Sequence, residues 1–315
     1  MIITVRATLC AALLSSAVSA AACSSCGCTL TSDWISQGLT GQPGTRIDLR
    51  YDYIPQTDLR TGTGRVGPVA LPADREIERH TYNHYVTLGI DHSWSPDWGV
   101  NLQLPLNVRP HLTVAEGDTA ASHSLTQGLG DARVTVRYQG FGGGDITGVT
   151  LGLKLPTGDF RTRFDAGPQT GELLDRGLQN GSGTTDAIIG AYHFGSLASR
   201  LDYFVQVQAD VPLDRRAHFR PGVTGTASAG LDYTRWAAVT PQLQLNVRLA
   251  GLDRGAESDR DNSGGELVYL SPGVSVRLAQ RLTGLGFVQL PLYERVHGFQ
   301  LTPLATLSLG LRYRS

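Results

Sequence analysis

The residues best suited to chemistry are three cysteines near the start of the chain, Cys23, Cys26 and Cys28. Three thiolates so closely spaced suit a soft metal ion such as Cu(I), or zinc. One disulfide between Cys23 and either neighbour is an alternative, because disulfides form outside the cytoplasm. Lipidation of Cys23 is a third. These cysteines are therefore candidate metal ligands, with all three states open.

Ser182 is the candidate nucleophile of a membrane hydrolase, but its surroundings favour a simpler interpretation. It lies in the segment Asn180-Gly181-Ser182-Gly183, with no histidine or aspartate at a recognisable spacing, and turn formation accounts for a serine there. His80 and His84 share the strand phase of apolar residues and are expected at the lipid or rim. We expect no enzyme, and no cofactor beyond Cu(I) or zinc at the cysteines.

A third set of candidates consists of charged residues that alternate with apolar ones. In 46–53 every odd position is apolar and every even position is charged, so one face of a strand would be apolar and the other charged. An arginine facing lipid in mid-membrane costs about 2–4 kcal/mol. We therefore expect these residues to face a hydrated lumen or its rim. The candidate lumen and selectivity residues are Arg50, Asp52, Arg109, Arg133, Arg137, Arg248, Arg277 and Arg312.

The elements that position these residues are strands, since the same period-two alternation recurs along the chain and no helical period competes with it. The class is all-β. The predicted strands cover 45–54, 80–94, 98–108, 131–141, 146–155, 184–194, 201–211, 223–233, 238–249, 267–278, 283–293 and 301–313.

The connections between these strands favour a membrane barrel over a soluble sandwich. Every second connection is short, as in 95–97 and 142–145, whereas most of the others are long and polar, as in 156–183. Short periplasmic turns and long outer loops give this rhythm, and aromatic residues cluster near strand ends. We predict a transmembrane antiparallel up-and-down barrel of about twelve strands. Its partners would be outer-membrane lipid, the assembly machinery and a small solute.

The order along the chain fits export. Residues 1–20 resemble a signal peptide, with Arg6, a short apolar core and cleavage after residue 20 or 22. A cysteine-containing segment, 21–44, would precede the barrel, 45–315. The net charge of −1 gives the chain no basic character, which excludes nucleic acid as an expected partner. The chain ends Tyr313-Arg314-Ser315, so it lacks the terminal aromatic residue usual in outer-membrane barrels.

Three glycine-rich motifs, 128–133, 152–158 and 178–186, occur in an order and spacing that carry a family resemblance. The chain resembles the bacterial outer-membrane transporter family named after the meta-pathway of phenol degradation, over most of 45–315. The resemblance implies a barrel that moves small molecules, with aromatic ones among the candidates. The Cys-x-x-Cys-x-Cys start is outside that pattern and looks like the mark of a subgroup.

Three functions follow. The first is a bacterial outer-membrane channel or transporter for small solutes, with aromatic or metal-related solutes as candidates. The second is an outer-membrane partner of a periplasmic metal or redox system that uses the cysteine segment. The third, least favoured, is an outer-membrane hydrolase.

Overall fold

The structure is a computed structural model that describes residues 43–67, 76–141 and 144–315. Within those ranges the regular secondary structure is strand, apart from one 3-10 turn. The fourteen strands are β1 (Gly44–Gly62), β2 (Gly64–Arg65), β3 (Ile77–Ser93), β4 (Trp98–Val114), β5 (Ser122–Leu129), β6 (Ala132–Tyr138), β7 (Ile146–Leu155), β8 (Asp186–Ala198), β9 (Leu201–Pro212), β10 (Thr224–Tyr233), β11 (Val239–Ala250), β12 (Gly265–Ala279), β13 (Leu282–Pro303) and β14 (Thr306–Arg314). No helix in the described part of the chain is long and apolar enough to cross a membrane.

Antiparallel pairing closes these strands into a barrel. Apart from the short β2 and β5, each strand pairs with the next one along the chain, and β14 returns to β1 with Arg314 opposite Arg46 and Leu307 opposite Tyr53. Strand β2 pairs only with β1, and β5 extends the wall ahead of β6, so twelve strands form the ring. At Gly298, where φ is +60°, the last part of β13 turns back to pair with β1. The predicted barrel of about twelve strands is confirmed.

The two faces of the wall follow the predicted alternation. Apolar side chains point outward and stay exposed, such as Leu151 at 60% and Leu49 at 47%. Polar side chains on the opposite face are buried inside the ring, such as Gln244 and Asn246 at 1%. A wall that is apolar outside and polar inside is the pattern of a transmembrane barrel, because lipid contacts one face and water or polar groups contact the other.

The two ends of the barrel differ as the loop rhythm predicts. The first and last strands meet at one end, where Ser315 donates its backbone N–H to Thr45 at 3.0 Å, together with the short turns. Trp94, Trp98 and Trp236 are exposed at this end, as in an interfacial girdle. The long loops 156–185, 213–223 and 251–264 lie at the other end.

Two segments predicted as loops are strands instead. Residues 55–62 continue β1, and β5 occupies 122–129 within the predicted loop 109–130. Both pair with neighbouring strands beyond the apolar belt: β5 with β4, and 56–62 with β13. Backbone pairing continues where the apolar alternation has ended, so the sequence pattern did not mark it.

Candidate functional site

The lumen contains a cavity of about 330 Å³ that reaches from mid-barrel to the long loops. Strand residues such as Arg50, Thr87 and Gln103 line its lower part, and residues of the loop 156–185 line its upper part. Its walls are mostly polar or charged, because the inward face of each strand is polar. This loop-covered cavity is the candidate functional site.

Asp131 anchors the 156–185 loop to the wall. It lies in the two-residue gap between β5 and β6, and its carboxylate accepts hydrogen bonds from Gly158 N (3.1 Å), Ser182 N (2.9 Å) and Ser182 Oγ (2.9 Å). Lys154, on β7, donates to Ser182 Oγ at 2.7 Å and forms an ion pair with Asp186 at 2.6 Å. All three glycine-rich motifs of the sequence therefore meet at one point.

Glycine is required where the two ends of this loop touch. A Cβ atom on Gly158 would lie 2.7 Å from the Cα of Gly181, and one on Gly181 would lie 2.4 Å from the carbonyl oxygen of Gly158. Any side chain at either position would push the loop away from Asp131. The glycine spacing of the motifs thus serves the closure of the loop.

The loop also carries a small core and contacts strand β4. Phe164, Leu174 and Leu178 pack together as buried residues. Arg109, on β4, donates to Gly177 O at 2.7 Å and to the Tyr85 hydroxyl at 2.6 Å. The loop is therefore held at two points on the wall, Asp131 and Arg109.

Arg176, in the single 3-10 turn of the loop, joins it to the loop 213–223. Its guanidinium lies over the rings of Phe160 and Phe219, at 4.5 and 4.7 Å from their centroids, and donates to Ser182 O at 2.7 Å. Cation–π contacts of this kind hold a charge beside an apolar surface. Together these loops cover the outer mouth of the cavity.

The predicted lumen residues occupy three places in the barrel. Arg50, Arg109, Arg133 and Arg248 line the cavity. Asp52, Arg137 and Arg312 lie inside the ring in polar contacts: Asp52 accepts from Ser308 at 2.6 Å, Arg312 pairs with Asp48 at 2.6 Å, and Arg137 pairs with Asp91. Arg277 is exposed where β12 ends at a short turn.

Arg137 belongs to a compact buried cluster near the terminal end of the barrel. It is 5% exposed and contacts both oxygens of Asp91 and the hydroxyl of Ser93. Arg46 binds the same carboxylate at 2.6 Å. One aspartate thus holds two arginines, so the cluster ties β1, β3 and β6 together along the inner face of one part of the wall.

The charged residues of the site that were absent from the predicted set include Asp131, Lys154 and Asp186. Each lies within a glycine-rich motif that the sequence had singled out. Lys154 also alternates with Leu151 and Leu153, which are exposed on the outer face. The argument that placed the arginines inward applies to it equally, and would have found it.

The surroundings of Ser182 do not provide a hydrolytic nucleophile. Its hydroxyl donates to Asp131 and accepts from Lys154, whose ammonium also pairs with Asp186. An ammonium group engaged as a donor to two partners has no lone pair with which to accept the serine proton. Within the described chain, this serine has a structural role in closing the loop.

A group of acidic residues lies at the outer end, beyond the apolar belt. Burial raises the pKa of Glu76 to about 7 and that of Asp259 to about 6. Burial, together with the negative charges of Glu76 and Asp259, holds the pKa of Asp175 well above its usual value. Asp175 belongs to the 156–185 loop, so the protonation of these groups affects how the loop is held.

His80 and His84 take the outer face, as predicted. His84 lies between Tyr51 and Tyr53, and its Nδ1 is 2.8 Å from the Tyr51 hydroxyl. The ring of His80 packs against that of Tyr82, with the two centroids 4.9 Å apart. Cys23, Cys26 and Cys28, the predicted metal ligands, lie outside the described residues, as do the signal peptide and nearly all of segment 21–44.

The closed ring, the apolar outer belt and the polar lumen define a transmembrane β-barrel of the bacterial outer-membrane type. A crystal structure of an outer membrane channel from Pseudomonas putida F1 is similar, with a TM-score of 0.64 at 14% identity over 87% of this chain and 96% of that chain. This similarity confirms the fold.

Two further structures are more remote in fold. The translocator domain of the autotransporter NalP from Neisseria meningitidis has a TM-score of 0.49 at 11% identity, covering 90% of this chain and 93% of that one. The toluene transporter TbuX from Ralstonia pickettii has a TM-score of 0.43 at 9% identity, covering 87% of this chain and 90% of that one. No protein-family model and no curated protein matches the chain.

Proposed function

We propose that this protein is an outer-membrane channel or transporter that lets small solutes pass through its lumen. The observation that carries the proposal is the 330 Å³ polar cavity inside a closed barrel. A packed apolar core would leave no room for a solute, whereas a polar lumen of this kind suits water-filled passage. The similarity to an outer membrane channel supports the same function.

The class of solute and the family to which the protein belongs are more specific parts of the proposal. Aromatic and metal-related solutes stay as the candidates, and membership of the phenol meta-pathway family stays a prediction that rests on the three glycine-rich motifs. Those motifs meet at Asp131, which gives them a shared task in closing the 156–185 loop. Partnership with a periplasmic metal or redox system depends on Cys23, Cys26 and Cys28 and also stays a prediction.

The test is solute flux through purified protein. We expect the barrel, reconstituted in liposomes, to admit small uncharged sugars and to conduct ions in planar bilayers. A serine-hydrolase probe should leave Ser182 unlabelled in the same preparation. A barrel that folds, shown by heat-modifiable gel migration, but passes neither ions nor sugars would contradict the proposal.

A further inference from the structure

We propose that the lumen cavity binds small organic monocarboxylates, with Arg248 as the residue that contacts the carboxylate. This inference rests on the proposed channel function and names the class of solute. It is argued from the charges that line the cavity and from the partners that each of them already has.

The lining has an excess of positive charge. Six basic side chains face the cavity and four acidic ones: Arg50, Arg109, Arg133, Lys154, Arg176 and Arg248 against Asp131, Asp186, Asp210 and Asp253. A narrow lumen of low dielectric strengthens the field of such a charge excess, because little water screens it.

The acidic residues are engaged by cations or by the backbone. Asp210 binds Arg133 through both oxygens, at 2.8 and 3.0 Å, and Asp186 binds Lys154. Asp131 accepts the hydrogen bonds that anchor the loop, and Asp253 accepts from Gly222 N at 2.7 Å. Arg133 and Lys154 are therefore paired with carboxylates, and Arg50 likewise forms an ion pair with Asp52 at 2.8 Å.

Two of the remaining arginines have uncharged partners only. Among the residues that the structure describes, Arg109 donates to a carbonyl and a hydroxyl, and Arg176 donates to carbonyls beside two aromatic rings. Burial lowers the pKa of Arg176 even though Glu257 and Asp131 act in the opposite direction. The positive charge of both residues is thus not neutralised by a contacting carboxylate.

Arg248 is the residue left to bind a solute. It is 9% exposed and faces the cavity from β11, yet within 43–67, 76–141 and 144–315 its side chain makes no hydrogen bond or ion pair. Its guanidinium is open to the cavity; burial raises the pKa of Asp253 in the same lining, and the charge of Arg248 opposes that rise although the two side chains form no ion pair. A carboxylate is a suitable ligand for the Arg248 guanidinium, because its two oxygens match the two parallel N–H donors of that group.

The size of the cavity and its other lining residues set the class of anion. About 330 Å³ accommodates a small organic acid, and the rings of Tyr85 and Phe219 provide apolar surface beside the charged groups. Asn107 and Asn180 add amide groups to the same walls. A monocarboxylate with a short apolar body is complementary to this combination.

The experiment is ion selectivity in planar bilayers, with potassium chloride and potassium acetate gradients as probes. We expect reversal potentials that show anions preferred over potassium in both salts. Arg248→Ala should lower the acetate-to-potassium permeability ratio about tenfold, the factor expected for one charge-assisted hydrogen bond. Arg248→Lys should keep part of the preference, because the charge remains while the fork is lost.

Arg235→Ala is the matched control, since Arg235 is exposed in the turn of the same β10–β11 hairpin. It should leave the acetate ratio unchanged, and gel migration should show that each variant folds. A conducting wild-type channel that prefers potassium, or excludes acetate while passing chloride, would overturn the inference. So would an Arg248→Ala channel with the wild-type ratio. Absence of any conductance would refute the channel function itself, which separates the two failures.

Discussion

Replacing Asp131 by alanine should release the 156–185 loop and open the cavity. The variant loses three hydrogen bonds from the loop backbone and Ser182 to the carboxylate. At a net value of about 1 kcal/mol each, they contribute about 3 kcal/mol to the closed position. Because 1.4 kcal/mol corresponds to about a factor of ten, the ratio of open to closed loops should rise roughly a hundredfold.

The assay is the rate at which small uncharged sugars enter liposomes that contain the protein. Uncharged solutes are chosen because losing Asp131 also changes the charge of the lumen. The rate should rise for Asp131→Ala and rise less for Asp131→Asn, whose amide oxygen can still accept a hydrogen bond.

Asp159→Ala is the control for the same loop, because Asp159 is exposed and its side chain accepts only from Arg161 N, at 3.2 Å. Its sugar rate should equal that of the wild type. An unchanged rate for a correctly folded Asp131→Ala barrel would show that Asp131 does not hold the loop closed, or that the loop does not limit passage.

Three other predictions concern the buried Arg137, the acidic residues near the loop and the N-terminal cysteines. Arg137→Ala should lower the temperature of the heat-modifiable gel transition, by a destabilisation of about 1.5–3 kcal/mol, because it removes charge-assisted hydrogen bonds to the buried Asp91 while Arg46 stays paired with that carboxylate; an unshifted transition would contradict this. Sugar passage should increase from pH 5 to pH 8, because Glu76 and Asp175 have raised pKa values in the docked state, bind protons at low pH and repel each other once ionised. Glu76→Gln should flatten that dependence, and an equally steep profile would refute the link. Intact mass spectrometry with an alkylating reagent should find one reactive thiol and one disulfide among the cysteines, whereas a diacylglycerol on Cys23 would mean that segment 21–44 is a membrane anchor.

The strand wall was largely predictable from the sequence because lipid imposes a simple rule on it. Each residue that faces hydrocarbon must be apolar, so residues such as Leu243 and Leu245 report their orientation directly. The span 146–155 was predicted with the bounds of β7. The strand β5 was missed because it pairs outside that apolar environment, where no alternation is enforced.

The placement of individual charges was predictable only in part. The sequence assigned Arg137 and Arg248 the same inward face, and both lie inside the ring. It had no means to show that Asp91, from β3, pairs with Arg137 whereas Arg248 faces the cavity with no ion pair to any residue that the structure describes. Their neighbours depend on strand register and loop path, which join residues far apart in the chain.

The sequence by itself determined that the chain forms a barrel with an apolar exterior, a polar lumen and loops concentrated at one end. These properties depend on period-two alternation and turn composition, which are local. Only the tertiary structure decided that the loop 156–185 folds over the lumen and that Asp131 holds it there. The physical reason is that hydrogen bonds from Gly158 and Ser182 to one carboxylate depend on distances across the barrel, and local sequence patterns do not encode such distances.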